Sequence, residues 1–238
     1  EQAQKIVKLL MTIATSLGTV MMPRIAATFA SGDHKKVREY MNKSFSFILL
    51  LSFPLMFGII SVSSSFVPIF YGKGYDKVVP LLCVISPIIV LIGLSNVTGT
   101  QYLLPTKKQN QYTLSVVMGA IVNFVLNLIL IKQFASIGAS IATVIAELTV
   151  TATQFILIRK EIKFIDVVKL SYKYVIASLI MLICSIIVGH FISDNLISII
   201  LQIIVSCFVY FIILYFFKDK LIIEVLNKFK KIIRKKVN

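Results

Sequence analysis

The residues best suited to chemistry in this sequence are polar side chains set inside long apolar runs. Two amides, Asn123 and Asn127, lie one helical turn apart in the run GAIVNFVLNLILI. Arg24 and Glu147 are the strongly ionisable residues within the apolar segments. A carboxylate in the middle of a membrane is energetically costly and usually has a functional reason. We therefore expect Glu147 to have a function of its own.

Motifs for enzymatic chemistry are absent from the sequence. It contains no glycine-rich phosphate loop, no histidine pair at metal-ligand spacing and no nucleophile elbow. Cys83, Cys184 and Cys207 fall inside apolar segments, as small packing residues do. We predict a protein that is not an enzyme and that carries no cofactor and no metal.

Composition places the chain in the membrane class. Hydrophobic residues make up 58% of its 238 positions and charged residues only 15%, whereas a soluble domain of this size needs far more surface charge. Seven segments are long and apolar enough to span a bilayer, which predicts an all-α, multi-pass transmembrane helix bundle. A retinal pump is disfavoured because the seventh segment lacks a lysine for a Schiff base. The segments are Leu9–Ala30, Ser44–Val67, Val79–Leu104, Thr113–Ile131, Ile137–Ile158, Tyr174–Ile192 and Leu196–Phe217.

The net charge of +15 is distributed asymmetrically between the joints. Alternate joints, together with the C-terminal tail, carry 19 lysines and arginines, and the remaining joints carry 3. This pattern predicts a cell (cytoplasmic) membrane protein whose basic joints and C-terminus are cytoplasmic. It also explains the charge without nucleic acid. The N-terminus then lies outside, so we expect the chain to be the C-terminal portion of a longer protein.

The C-terminal residues 218–238 form a separate basic feature. Apolar residues recur at helical spacing between lysines in KDKLIIEVLNKFKKIIRKKVN. Such a pattern predicts an amphipathic helix on the anionic cytoplasmic leaflet. A solvated basic tail that only fixes topology is the alternative.

Polar residues also follow single helix faces within the spans. In the fifth span they recur at steps of three and four around Glu147, which predicts one polar stripe. In the third span Pro80 and Pro87 predict a bend. Such stripes meet one another or a wet cavity, and for any single serine or threonine the simpler interpretation is an interhelical hydrogen bond. The members of the fifth-span stripe are Ser140, Thr143, Glu147, Thr151 and Gln154.

Six stretches follow one another in the first two thirds of the chain: SLGTVMMPRIA, SFSFILLLSFPLMFGI, YGKGYDK, GLSNVTGTQYLLPT, GAIVNFVLNLILI and IGASIATVIAEL. Each is loose by itself, but their order and spacing are specific. Together they resemble the oligosaccharide flippases of bacterial polysaccharide synthesis. These flippases belong to the multidrug/oligosaccharidyl-lipid/polysaccharide exporter superfamily.

In that family two six-helix lobes enclose a central cavity, and some members append two helices. The resemblance implies that residues 1–160 form the C-terminal lobe without its first helix and that residues 161–217 form two appended transmembrane helices. It implies that undecaprenyl-diphosphate-linked oligosaccharide repeat units are flipped across the membrane for O-antigen, capsule or exopolysaccharide synthesis. The expected partners are this lipid-linked substrate, membrane lipids and the polysaccharide polymerase machinery.

The resemblance also suggests roles for the polar residues. Arg24 would meet the diphosphate, although a cation snorkelling to the cytoplasmic interface is an equally good interpretation. Glu147 would bind a coupling proton or cation. Of the two amides in the fourth span, Asn123 is the candidate cavity residue and Asn127 the candidate interhelical contact. The residues proposed to bond sugar hydroxyls are Asn96, Gln101, Asn123 and Asn127.

Two other functions stay open at the level of the sequence. One is a drug/cation antiporter of the same superfamily. The other is a membrane assembly partner that transports nothing, which the short joints and the several polar helix edges disfavour.

Overall fold

A computed structural model of the chain describes residues 2–72, 74–192, 195–224 and 227. Within these residues the regular structure is entirely helical, which confirms the predicted fold class. We number the helices in chain order and name the segment Asn96–Leu103 the π-helix. The helices are α1 (Gln2–Thr15), α2 (Leu17–Ala30), α3 (His34–Tyr71), α4 (Val78–Ile85), α5 (Ile88–Ser95), the π-helix (Asn96–Leu103), α6 (Gln109–Leu157), α7 (Phe164–Phe191) and α8 (Asn195–Phe216).

The helices that could cross a membrane correspond to the predicted spans, but their count depends on two bends. Five helices of the described chain are long and apolar enough, or six if α1 and α2, which meet at 41°, form one bent span. Helix α6 has 49 residues, about 74 Å at 1.5 Å per residue, more than twice the thickness of a hydrocarbon core. Counting α6 as two spans gives the predicted seven, so that number is approximate.

A sharp reversal at Ala135 divides α6 into two arms, residues 109–134 and 136–157. Ala135 has φ 47° and ψ −124°, which is not helical. Beyond it the second arm runs back along the first, so that a side chain at Gly138 would collide with the Leu130 carbonyl. Further along, a Cβ at Gly119 would lie 3.2 Å from the Ala146 carbonyl oxygen. The glycines thus permit the close antiparallel packing of the two arms.

The third predicted span is broken and irregular. Pro87 separates α4 from α5, because proline has no backbone N–H to donate to the preceding turn. Pro80 lies in the first turn of α4, where its missing N–H is not needed. The span then continues as the π-helix, a conformation that no sequence pattern indicated.

Helix α3 is the central element of the bundle, and both α7 and α8 pack against it. Tyr174 and Phe45 are fully buried where α7 meets α3. The Tyr210 hydroxyl of α8 donates to the Leu50 carbonyl of α3 at 2.7 Å. The appended pair is therefore part of the same core, while its predicted boundary at residues 160 and 161 stays a prediction.

A chain of polar side chains also joins α3, α7 and α8 inside the apolar region. Ser185 of α7 donates to Ser61 of α3 at 3.0 Å, and the hydroxyls of Ser65 on α3 and Ser198 on α8 are hydrogen-bonded at 3.5 Å. Gly189 leaves the space that Gln202 occupies. These bonds satisfy polar groups that lipid could not satisfy, so they fix the register of the appended helices.

The predicted amphipathic tail lies mostly outside the described residues. A helical turn begins at Lys220. The Asp219 carboxylate caps this turn by accepting hydrogen bonds from the backbone N–H groups of Leu221 and Ile222. The proposed surface helix over residues 218–238 therefore stays a prediction.

Candidate functional site

The π-helix brings two of the predicted site residues together. Gln101 donates through Nε2 to Oδ1 of Asn96 at 3.0 Å. The two residues are five apart, which is the hydrogen-bond spacing of a π-helix. Gln101 is fully buried, and its Oε1 has no hydrogen-bond partner among the described residues. A buried carbonyl oxygen without a partner is energetically unfavourable.

Helix α2 approaches the pair through a glycine. A Cβ at Gly18 would lie 2.8 Å from Asn96 Oδ1 and 3.4 Å from Gln101 Nε2. Any larger residue at position 18 would therefore push against both amides. Asn96 itself is half-buried, and its Nδ2 makes no hydrogen bond within the described chain. The pair thus presents a free amide donor at the junction of α2 and the π-helix.

Arg24 lies further along α2 and is exposed. Its guanidinium makes no hydrogen bond or ion pair with the described residues. Ser16, which precedes α2, and Thr19 on α2 are also exposed, and their hydroxyls bond to backbone carbonyls one turn earlier. The described helices therefore leave the Arg24 cation free for an external anion.

The two amides of the fourth span bond to each other. Asn127 Nδ2 donates to both the backbone carbonyl and Oδ1 of Asn123, each at 2.9 Å. Both residues are half-buried, and neither bonds another helix in the part of the chain described. The interhelical bond expected of Asn127 is therefore replaced by a bond within its own helix, because residues four apart lie on one face.

Glu147 lies on the second arm of α6 and is half-buried. Its carboxylate has no hydrogen bond or ion pair with any residue that the structure describes. Nearby, Thr151 on the same stripe donates to the Leu91 carbonyl of α5 at 3.0 Å. The stripe therefore mixes interhelical bonds, as the simpler interpretation holds, with one acid that helix packing does not use.

The sequence did not predict a hydrogen-bonded hub that is centred on the buried Gln154. Thr98 donates to Oε1 of Gln154, and Gln154 Nε2 donates to Ser115 Oγ at 3.1 Å. The hub joins the π-helix to both arms of α6, across sequence separations of 56 and 39 residues. Gln154 was recognised as part of a polar stripe, but isolated partners such as Thr98 and Ser115 leave no pattern in the sequence.

The six predicted site residues do not form one cluster in the described chain. Arg24, Asn96 and Gln101 lie on α2 and the π-helix, which pack together. The other three lie on α6, and within the part of the chain that the structure describes none of them is hydrogen-bonded to Arg24, Asn96 or Gln101. Among the described residues no group of three histidine, cysteine, aspartate or glutamate side chains could hold a metal ion. The substrate-path and coupling roles stay predictions.

Comparison with known proteins identifies the family. The family model described as "Lipid II flippase MurJ" matches residues 2–207. The lipid II flippase MurJ of Bacillus subtilis is 30% identical over 192 residues, covering 78% of this chain and 34% of that protein. A putative O-antigen transporter of Escherichia coli is 30% identical over 137 residues, covering 58% of this chain and 33% of that protein.

The structural comparison agrees in fold. A solved lipid II flippase MurJ in an inward closed conformation matches with a TM-score of 0.77 at 22% identity, covering 92% of this chain and 46% of that one. The chain spans about a third of the length of the curated relatives named above. The family match extends into α8, beyond the stretches that carried the sequence resemblance. It confirms that resemblance: the chain belongs to the lipid II flippase MurJ family, whose members are transporters and not enzymes.

Proposed function

We propose that the complete protein moves an undecaprenyl-diphosphate-linked saccharide from the cytoplasmic to the outer leaflet of the cell membrane. The observation that carries this proposal is the family match over residues 2–207. The named relatives from two bacteria act on, or are assigned to, lipid-linked saccharides. This common substrate class supports a flippase over a drug/cation antiporter.

The junction of α2 and the π-helix supports the same proposal. Sugar hydroxyls need hydrogen-bonding amides, and Asn96 keeps its Nδ2 free because Gln101 bonds only to its Oδ1. A diphosphate needs a cation, and the exposed guanidinium of Arg24 suits phosphate oxygens through paired N–H donors. In this proposal Asn96 binds sugar, Gln101 orients Asn96, and Arg24 binds the diphosphate.

Two cargoes fit this chemistry. The peptidoglycan precursor lipid II is favoured by the Bacillus subtilis relative, which aligns with 78% of the chain. An O-antigen or other surface-polysaccharide repeat unit is supported by the Escherichia coli relative, which aligns with 58%. We favour lipid II because its support covers more of the chain.

Complementation separates these cargoes. The complete protein would be expressed in one strain depleted of its lipid II flippase and in another that lacks its O-antigen flippase. We expect growth to be restored in the first strain. Restored surface polysaccharide without restored growth would assign the repeat unit instead. Failure in both strains at normal membrane abundance would contradict the flippase proposal.

We also propose that the C-terminus is cytoplasmic, on the basis of the asymmetry of 19 basic residues against 3. A cysteine introduced at Gly74 of the complete protein should react with an impermeant thiol reagent added outside intact cells. One introduced at Gln109 should not react. Labelling of the cysteine at position 109 from outside would show that the orientation is the reverse of the proposed one.

A further inference from the structure

The basic end of the helix bundle holds a cavity that the proposed transport path does not use. The cavity has a volume of about 400 Å³ and lies between the start of α3, the π-helix and the joint from α6 to α7. Its floor is apolar, since Val37, Met41 and Ile162 are all buried. Its titratable lining residues are His34, Lys35, Arg38, Tyr102, Lys160 and Glu161.

The charge around this cavity is strongly positive. Three permanent cations and one histidine surround it, against a single carboxylate. That carboxylate, on Glu161, is bonded to the ammonium group of Lys108, which is not part of the lining. Burial by itself would lower the pKa of Lys108, but the hydrogen bond and charge of Glu161, together with Tyr102, outweigh it and hold the pKa above its ordinary value. The carboxylate is therefore already compensated, and the cations of the lining remain unopposed.

Arg38 is fixed in place without using up its donors. Its Nε donates to the backbone carbonyl of Glu161 at 3.1 Å, and Nη2 donates to the same oxygen. These bonds use two of the five N–H donors of a guanidinium, so three remain. Lys35 and Lys160 make no hydrogen bond or ion pair with the described residues. A ligand would therefore find an oriented guanidinium, which needs little further ordering, and two uncommitted ammonium groups.

We propose that this cavity binds the phosphate group of an anionic ligand at the membrane surface. Guanidinium and ammonium groups together suit phosphate oxygens, and basic pockets between transmembrane helices bind anionic lipid headgroups. Lysines that only set topology need no concave site, whereas these cations line a cavity together with buried apolar side chains. The phosphate could belong to an anionic phospholipid or to a soluble phosphate ester, and both sources use the same contacts.

A matched pair of double variants tests the site. Lys35→Gln combined with Lys160→Gln removes two lining cations that support no described contact. Lys36→Gln combined with Lys163→Gln removes two exposed cations next to them that do not line the cavity. Both variants lose the same net charge from the same joints. Each basic residue at a membrane surface contributes about fivefold to anion affinity, so the first variant should bind roughly 25-fold more weakly and the second nearly normally.

The measurement uses the complete protein, purified in neutral detergent, and microscale thermophoresis. The probes are dihexanoyl phosphatidylglycerol, inorganic phosphate and dihexanoyl phosphatidylcholine, and equal melting temperatures of the two variants establish equal folding. Phosphatidylglycerol binding that only the lining variant weakens supports a lipid headgroup site. The same loss for inorganic phosphate supports a site for soluble phosphate esters. Equal losses in both variants, no loss in either, or equally tight binding of phosphatidylcholine would overturn the proposal.

Discussion

Replacing Asp219 with asparagine should lower the free energy of unfolding by about 3–5 kcal/mol, the usual cost of removing one partner from a buried ion pair. The Asp219 side chain is 1% exposed and forms an ion pair with Lys173, whose side chain is 15% exposed. The Tyr174 hydroxyl donates to the same carboxylate at 3.0 Å. Asparagine can keep the acceptor and the cap but not the charge, so the largely buried Lys173 would lose its counterion.

A second set of variants separates the effect of the lost charge from the effect of the lost helix cap. Removing both charges with Asp219→Asn and Lys173→Met should cost much less than Asp219→Asn alone, because no buried charge is then left unpaired. Asp219→Ala should cost roughly a further 1 kcal/mol, because it also removes the hydrogen bonds to Leu221 and Ile222. The coupling energy from this double-mutant cycle should be at least about 2 kcal/mol.

The assay is denaturant unfolding of the complete protein in mixed micelles, followed at a reporter attached to the free Cys207 of α8. The unmodified and labelled proteins must first show the same transport activity. A loss below about 1 kcal/mol for Asp219→Asn, in the range of an exposed ion pair, would refute the reasoning. So would a double variant as unstable as Asp219→Asn itself.

The same pair predicts a pH dependence with a defined sign. Burial would raise the pKa of Asp219, but hydrogen bonds from Lys173, from the backbone N–H of Ile222 and from Tyr174 outweigh it and hold the pKa below its ordinary value. A carboxyl group whose pKa is lower in the folded state stabilises the fold above its unfolded pKa and loses this effect as the pH falls through the folded pKa. The contribution should therefore persist from neutral pH down to about pH 4 and disappear below it. Asp219→Asn should lack this acid-dependent step.

Four further variants test the interpretation of α6. Glu147→Gln should lower flipping per molecule more than it lowers abundance, and unchanged specific activity would make the carboxylate incidental. Asn123→Leu should reduce flipping per folded molecule, whereas Asn127→Leu should cost about 1 kcal/mol of stability; equal losses that follow abundance in both would remove Asn123 from the substrate path. Ala135→Gly should raise the unfolding free energy by about 1 kcal/mol, the strain relieved at positive φ less the entropy that glycine adds to the unfolded chain; a lower melting temperature would contradict this.

Much of the fold could be predicted from the sequence because membrane insertion demands long apolar helices. The runs that end at Ile131 and resume at Ile137 placed a joint where the structure has the reversal at Ala135. Pro87 predicted the break between α4 and α5. The sequence also contained no enzyme motif, and its ordered motifs resembled the superfamily that the family match confirms. Each of these features leaves a signal that is continuous along the chain, either a hydrophobic run, a residue without a backbone donor or an ordered set of motifs.

The contacts that give the polar residues their surroundings were decided by the tertiary structure alone. In an α-helix Asn96 and Gln101 would not share a face, and only the π-helix brings their amides within 3.0 Å. The Gln154 hub and the cavity around Arg38 depend on segments that lie far apart in sequence. The ion pair between Lys173 and Asp219 likewise follows from how α8 returns along α7. A single polar residue has no periodicity, so its partner is fixed only when helix crossings bring two distant segments into contact.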